Sequence, residues 1–107
     1  MPSQRSNIDY LLEQITQAGH VSARAMFGEY AIYCSGKVIA LFCDDQLFIK
    51  PTKNGEAFLG QVTLEPPYPG AKPHFLITGE KWDNADWLSQ LVRITADALP
   101  MPKPKKR

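Results

Sequence analysis

Between Ala25 and Pro51 the chain reads AMFGEYAIYCSGKVIALFCDDQLFIKP, three short apolar runs separated by the dipeptides Ser35-Gly36 and Asp44-Asp45. Runs this short, rich in Ile, Val, Phe and Tyr, suit strands better than helices, and Gly and Asp are turn formers. The segment therefore reads as an antiparallel meander. Alternation across Met26–Cys34 puts Met26, Gly28, Tyr30 and Ile32 on one face and Phe27, Ala31 and Tyr33 on the other. Past the first turn, Ile39, Leu41 and Cys43 join the first face, and Val38, Ala40 and Phe42 the second. Leu47 and Ile49 continue the second face and Phe48 the first. Both faces are apolar, more than an antiparallel sheet needs when one side is wet. Either helices cover both faces or one face is kept for a partner.

Helical patterns flank the meander. Ser6 reads as an N-cap with Asp9 three residues on, and Ile8, Leu11, Leu12 and Ile15 follow at helical spacing until Gly19. Thr52 reads as the cap of a short helix over Lys53–Leu59, closed by Gly60 and weakened by Gly55. Gln61–Glu65 has strand character. Pro66, Pro67, Pro69, Gly70 and Pro73 then punctuate a rigid loop before a strand over His74–Thr78. Asp83, with Asp86 three residues on, reads as the cap of a last helix. Trp87, Leu88, Leu91, Val92, Thr95 and Leu99 line its inner face, and Pro100 stops it. The expected order is α-β-β-β-α-β-β-α, an α+β domain with an antiparallel sheet and helices at both ends. Residues 1–100 make one domain, and 101–107, MPKPKKR, read as a disordered basic tail.

Charge separates these two parts. The net charge is +1, yet Lys103, Lys105, Lys106 and Arg107 lie in the last five residues. Without those four, eight basic residues face 11 acidic ones, so residues 1–102 are mildly acidic. That composition argues against a broad nucleic-acid surface and leaves the tail as the electrostatic signal for nucleic acid, non-specific and salt-sensitive. No run of about 18 apolar residues marks a membrane span. The charged N-terminus does not read as a signal peptide, and a cytoplasmic address is expected. Cys34 and Cys43 fall on one sheet face, roughly 20 Å apart at the usual strand rise, and read as free thiols.

Candidate sites are few. His20 and His74 lack partners at metal-ligand spacing, and no nucleophile elbow, phosphate-cradling loop or paired-carboxylate motif is present. Neither a catalytic residue, nor a metal, nor a cofactor is assigned. Cys43 with His74 is a candidate thiol–imidazole pair, and a small core residue is the better reading of Cys43. Asp44-Asp45 reads as a turn before a metal pair. Glu29 falls among apolar residues opposite Phe42, where a carboxylate needs a partner. Arg24, Lys50 and Lys72 are the candidates, with a strand-end or bulged position at Gly28 as the alternative. Tyr68, held between prolines, is either a recognition knob or part of a lid over the core. Trp82 is either a hydrophobic staple or an exposed contact.

The segments MFGEYAIYCSGKVIALFCDDQLFIKP and PPYPGAKPHFLI resemble the N-terminal domain of the TfoX/Sxy competence regulators, from about Ile8 to Leu99. The resemblance implies a fold like the secretion-chaperone α+β class and a bacterial source. Longer members carry a second, C-terminal domain and promote transcription of DNA-uptake genes together with the cyclic-AMP receptor protein. This chain is expected to lack that second domain, and the resemblance supplies no catalytic residues. The expected function is a non-catalytic protein-interaction module in transcriptional regulation, partnered by transcription machinery or a regulator. Its expected surface is one apolar sheet face with the proline-rich loop at its edge, and Glu29, Lys50, Tyr68, Lys72 and Trp82 are its candidate contact residues. A weak nucleic-acid binder acting through the tail is one alternative. A small-molecule-binding domain with a pocket between the sheet and the last helix is the other. The doubly apolar sheet also suits a homodimer.

Overall fold

The computed structural model describes residues 5–26 and 29–100. Its elements run α1 Arg5–Gln14, β1 Val21–Met26, β2 Glu29–Cys34, β3 Lys37–Cys43, β4 Gln46–Ile49, α2 Lys53–Leu59, β5 Leu64–Glu65, β6 His74–Ile77 and α3 Ala85–Ala98. Short 3-10 turns at Thr16–Ala18 and Gly79–Lys81 complete the order. All strand pairs are antiparallel, in the order β1-β2-β3-β4-β6-β5. The α+β class and the flanking helices are thus borne out, with one strand more than expected. The addition is β1, VSARAM, whose small and polar residues give only a weak alternation signal.

The two predicted turns form as two-residue hairpin connections, with Cys34 opposite Lys37 and Cys43 opposite Gln46. Each needs left-handed backbone, and the φ angles are 52° at Ser35, 83° at Gly36, 54° at Asp44 and 56° at Asp45. Turns of this hand match the twist of the strands they join. Glycine adopts them without strain, and aspartate tolerates them because its short side chain bonds locally.

One irregularity reassigns the faces. Ile32 pairs with Ala40 but the next residue, Tyr33, pairs with Val38, so Ile39 is an extra residue on β3. Such a bulge shifts the alternation by one. Tyr30 and Ile32 therefore share a face with Ala40 and Phe42, not with Leu41 and Cys43 as strict alternation predicts. Cys34 and Cys43 fall on opposite faces. Both are free and buried, so the free-thiol expectation holds for a different reason from the one that alternation supplied.

Helices α1 and α3 cover the first face. Ile32, Ile39, Phe42, Leu47, Ile49 and Phe75 meet Ile8 and Leu11 of α1 and Leu88, Leu91 and Val92 of α3 in one buried cluster. Polar bonds tie α1 to α3 and to the turn before it: Ser89 Oγ donates to the Gln14 carbonyl at 2.9 Å, and the Tyr10 hydroxyl donates to Asp83, two residues before α3 begins. At the far end of α3, Lys37 Nζ donates to the Ala96 carbonyl at 2.7 Å. A cation there satisfies an orphan carbonyl at the negative end of the helix.

Two caps differ from expectation. Asn84, not Asp83, caps α3, its side chain accepting from the Trp87 N–H at 3.2 Å. Ser6 lies inside the first turn of α1, which already includes Arg5. The Thr52 cap of α2 is borne out, with Oγ1 accepting from the Gly55 N–H at 2.9 Å. No helix among the described residues is long and apolar enough to cross a membrane.

Candidate functional site: a groove on the outer sheet face

The second sheet face carries Ala31, Leu41, Cys43 and Phe48, as the register requires. Ala31, Cys43 and Phe48 are buried but stand apart from the core cluster beneath the helices. At the end of this face near the β1–β2 connection lies a groove of about 600 Å³. Met26, Glu29 and Tyr30 line it from β1 and β2, Leu41, Cys43 and Asp44 from β3 and its turn, and Pro67, Tyr68 and Pro69 from the proline-rich loop.

The path of that loop sets the position of Tyr68. Pro67 is buried while its neighbours Pro66, Tyr68 and Pro69 are exposed. Proline fixes φ near −65°, so a chain anchored at Pro67 holds the next residues stiffly. The loop is seated on the outer face through Pro67 and presents Tyr68, 55% exposed, at the groove rim. Across the groove Met26 is 42% exposed. Two large apolar side chains thus border a cleft whose floor is the apolar Leu41 and Cys43.

Glu29 is half-buried at the start of β2, opposite Met26, while Tyr30 takes the place opposite Phe42 that alternation gave to Glu29. Its carboxylate accepts from the Asp44 N–H, at 3.2 Å to Oε1 and 3.1 Å to Oε2. A backbone donor is thus one partner of this carboxylate. The register explains why Lys50 does not serve. Its N–H bonds to the Ile39 carbonyl, four positions along β3 from Cys43, about 13 Å at the usual rise. Lys50 instead borders a smaller cleft with Lys37, Val38, Leu99 and Pro100. Lys72 is exposed, its carbonyl 2.8 Å from His74 Nδ1.

Trp82 is a packing residue. Its ring meets Phe42 edge-on with centroids 5.5 Å apart, and its Nε1–H donates to the Ile77 carbonyl at 3.1 Å. Trp87 packs on Phe58 at 5.7 Å, with Lys81 Nζ 5.0 Å above its ring. Lys103, Lys105, Lys106 and Arg107 lie outside the described residues.

The groove is lined mostly by apolar side chains and holds one thiol, Cys43. Burial, then the charges of Glu29 and Asp44, push the Cys43 thiol up from 9.0 to about 11, so it is protonated at neutral pH and a poor nucleophile. Cys43 and His74 lie two strands apart in the sheet and at opposite ends of their strands, so they form no thiol–imidazole pair. Among the described residues no group of three His, Cys, Asp or Glu side chains could hold a metal ion. The space between the sheet and α3, expected as a pocket in the small-molecule reading, is packed with Ile39, Phe42, Leu88 and Leu91, each fully buried. The groove is on the other side of the sheet.

Sequence reasoning named two lining residues, Glu29 and Tyr68, and set the proline-rich loop at the edge of an apolar sheet face, but did not join Met26, Leu41 and Asp44 to them. The available signal was the doubly apolar sheet. Without the bulge, alternation scattered the outer residues over both faces.

Residues 13–99 match the TfoX N-terminal domain. A protein of Spirochaeta aurantia, described as an uncharacterized 12.7 kDa protein in the trpE 5′ region, is 36% identical over 106 residues, covering 99% of this chain and 91% of that protein. With most of its length matched by the one and nearly all by the other, this chain belongs to the TfoX N-terminal domain family.

Proposed function

We propose that this chain is a non-catalytic, cytoplasmic regulatory module that holds a protein partner in the outer-face groove. The observation that carries this reading is the groove itself, a cleft of about 600 Å³ floored by apolar side chains and bordered by exposed Met26 and Tyr68. Aromatic and methionine side chains held at a rim are favourable contact residues, because they present large area and lose little freedom when they bind. Membership of the TfoX N-terminal domain family supports a competence-related regulatory role, in which the partner belongs to the transcription machinery or its regulators. A protonated Cys43 thiol in the groove supports binding over nucleophilic chemistry.

The test is affinity capture from a lysate of the source organism, treated with nuclease. Full-length protein is compared with a 1–102 truncation and with a Met26→Ser/Tyr68→Ala variant. A stoichiometric protein that survives nuclease and truncation, and is lost from the groove variant, is the expected result. Loss of all bound material on nuclease treatment or truncation would instead assign binding to nucleic acid and the basic tail. Retention by the groove variant would remove the groove from the interaction.

A further inference from the structure

Strand β1 forms one edge of the sheet, and among the described residues no strand pairs with its far side. The opposite edge, β5, is two residues long and runs into Pro66 and Pro67, which blunts it. β1 is six residues long, VSARAM, without proline or glycine, and it pairs with β2 in an unbroken register. A regular edge of that length is a template for a further strand.

The ladder determines which residues offer their backbone to such a strand. The Ser35 N–H donates to the His20 carbonyl at 2.8 Å, and this pair continues the register of Val21 with Cys34. Bonded and non-bonded pairs alternate along an antiparallel ladder. Ser22, Arg24 and Met26 therefore turn their N–H and C=O groups to β2, while Val21, Ala23 and Ala25 turn theirs away from the sheet. The side chains of Val21 and Ala23 pack against the core beneath the helices. Arg24, opposite Ala31, lies on the outer face with Ser22, and both are exposed.

We propose that β1 is a dimerisation edge, pairing antiparallel with β1 of a second copy of this chain about a two-fold axis at Ala23. A two-fold contact requires one surface to complement itself, and β1 does so in length, bonding phase and charge. Val21 lies opposite the partner's Ala25, Ala23 opposite the partner's Ala23, and Ala25 opposite the partner's Val21. Each of these pairs exchanges two backbone hydrogen bonds. Arg24 then faces the partner's Ser22 on the outer face. The neighbouring registers within β1 lose one bonded pair, and one of them sets Arg24 against the partner's Arg24, which like charge disfavours. The two sheets become one, with both outer faces on the same side. Met26 of each copy ends about 20 Å along the seam from the partner's Met26 at the usual rise, so the dimer presents two grooves side by side.

Sedimentation equilibrium on the full chain at rising concentration, joined to amide hydrogen exchange, tests this pairing. The mass should climb from the 12.0 kDa of one chain toward twice that value. The Val21, Ala23 and Ala25 amides should gain protection in step with it. Ala23→Pro removes the N–H at the axis from both copies without touching the bonds to β2, as an edge strand tolerates. It should raise the dimer dissociation constant roughly tenfold or more, the scale of two lost hydrogen bonds. Ser22→Glu places a carboxylate opposite the partner's Arg24 and should tighten the dimer roughly fivefold, whereas Ser22→Lys should loosen it by a similar factor. Both changes fall at an exposed position that the fold does not use. A chain that stays at 12.0 kDa throughout overturns the proposal. Protection of those three amides in the monomer would then mean that another part of the chain covers the edge. A dimer indifferent to Ala23→Pro and to both Ser22 substitutions also overturns it and moves the contact elsewhere.

Discussion

At Gly55 an added Cβ would lie 2.8 Å from Thr52 Oγ1 and 3.4 Å from the Phe75 ring. Glycine inside a helix ordinarily costs about 0.5–1 kcal/mol relative to alanine, yet here alanine would push out the oxygen that caps the helix. Gly55→Ala is expected to destabilise the protein by about 1–2 kcal/mol in urea denaturation, the scale of a lost cap. The same substitution made in a Thr52→Ala background should cost clearly less, because the cap is already gone. Cys43 makes a second residue-scale prediction. Its thiol is pushed from 9.0 to about 11, so between those values the folded chain holds a proton that the unfolded chain has released. Stability contributed by Cys43 is therefore intact below pH 9 and falls as pH rises toward 11. Comparison of pH–stability curves for the native protein and Cys43→Ser should show a steeper alkaline decline in the former. Native-state alkylation of Cys43 should be slow at neutral pH and accelerate only in that alkaline window.

Among the elements, the hairpin turns and α2 were legible because their signals are local: turn residues at Ser35-Gly36 and Asp44-Asp45, and a cap three residues before the N–H it accepts from. What escaped the sequence depends on neighbours. β1 is held by pairing with β2 and has little apolar alternation of its own. The start of α3 depended on which of two adjacent cap residues faces the helix. Asn84 turns to the Trp87 N–H, while Asp83 is taken by the Tyr10 hydroxyl across the α1–α3 contact. Asn84→Ala should then cost about 1 kcal/mol in denaturant titration, the usual value of a cap, and Asp83→Asn should cost less. The candidate site was legible as an apolar sheet face with the proline-rich loop at its edge, and as two of its lining residues, Glu29 and Tyr68. Joining them required the path of the proline-rich loop, and no periodicity encodes where such a loop lands.

For the molecule as a whole, two faces of one sheet have different duties. The helix side holds the core, and the outer side holds a groove whose rim residues contribute little to stability. Tyr68→Ala is therefore expected to change unfolding free energy by no more than about 0.5 kcal/mol, as for exposed positions generally, while weakening partner capture. Leu88→Ala, at a fully buried position on α3, should cost about 2–5 kcal/mol. The extra residue at Ile39 keeps these duties apart. Because β3 is apolar on both sides, its hydropathy would read almost the same if the strand slid by one position. Leu41 and Cys43 would then turn toward α3, and Phe42 would turn out into the groove. A single-residue insertion or loss between Cys34 and Asp44 would thus leave composition nearly untouched and yet exchange groove floor for core. Natural variants of this chain should accordingly change length in its proline-rich loop far more readily than in this hairpin.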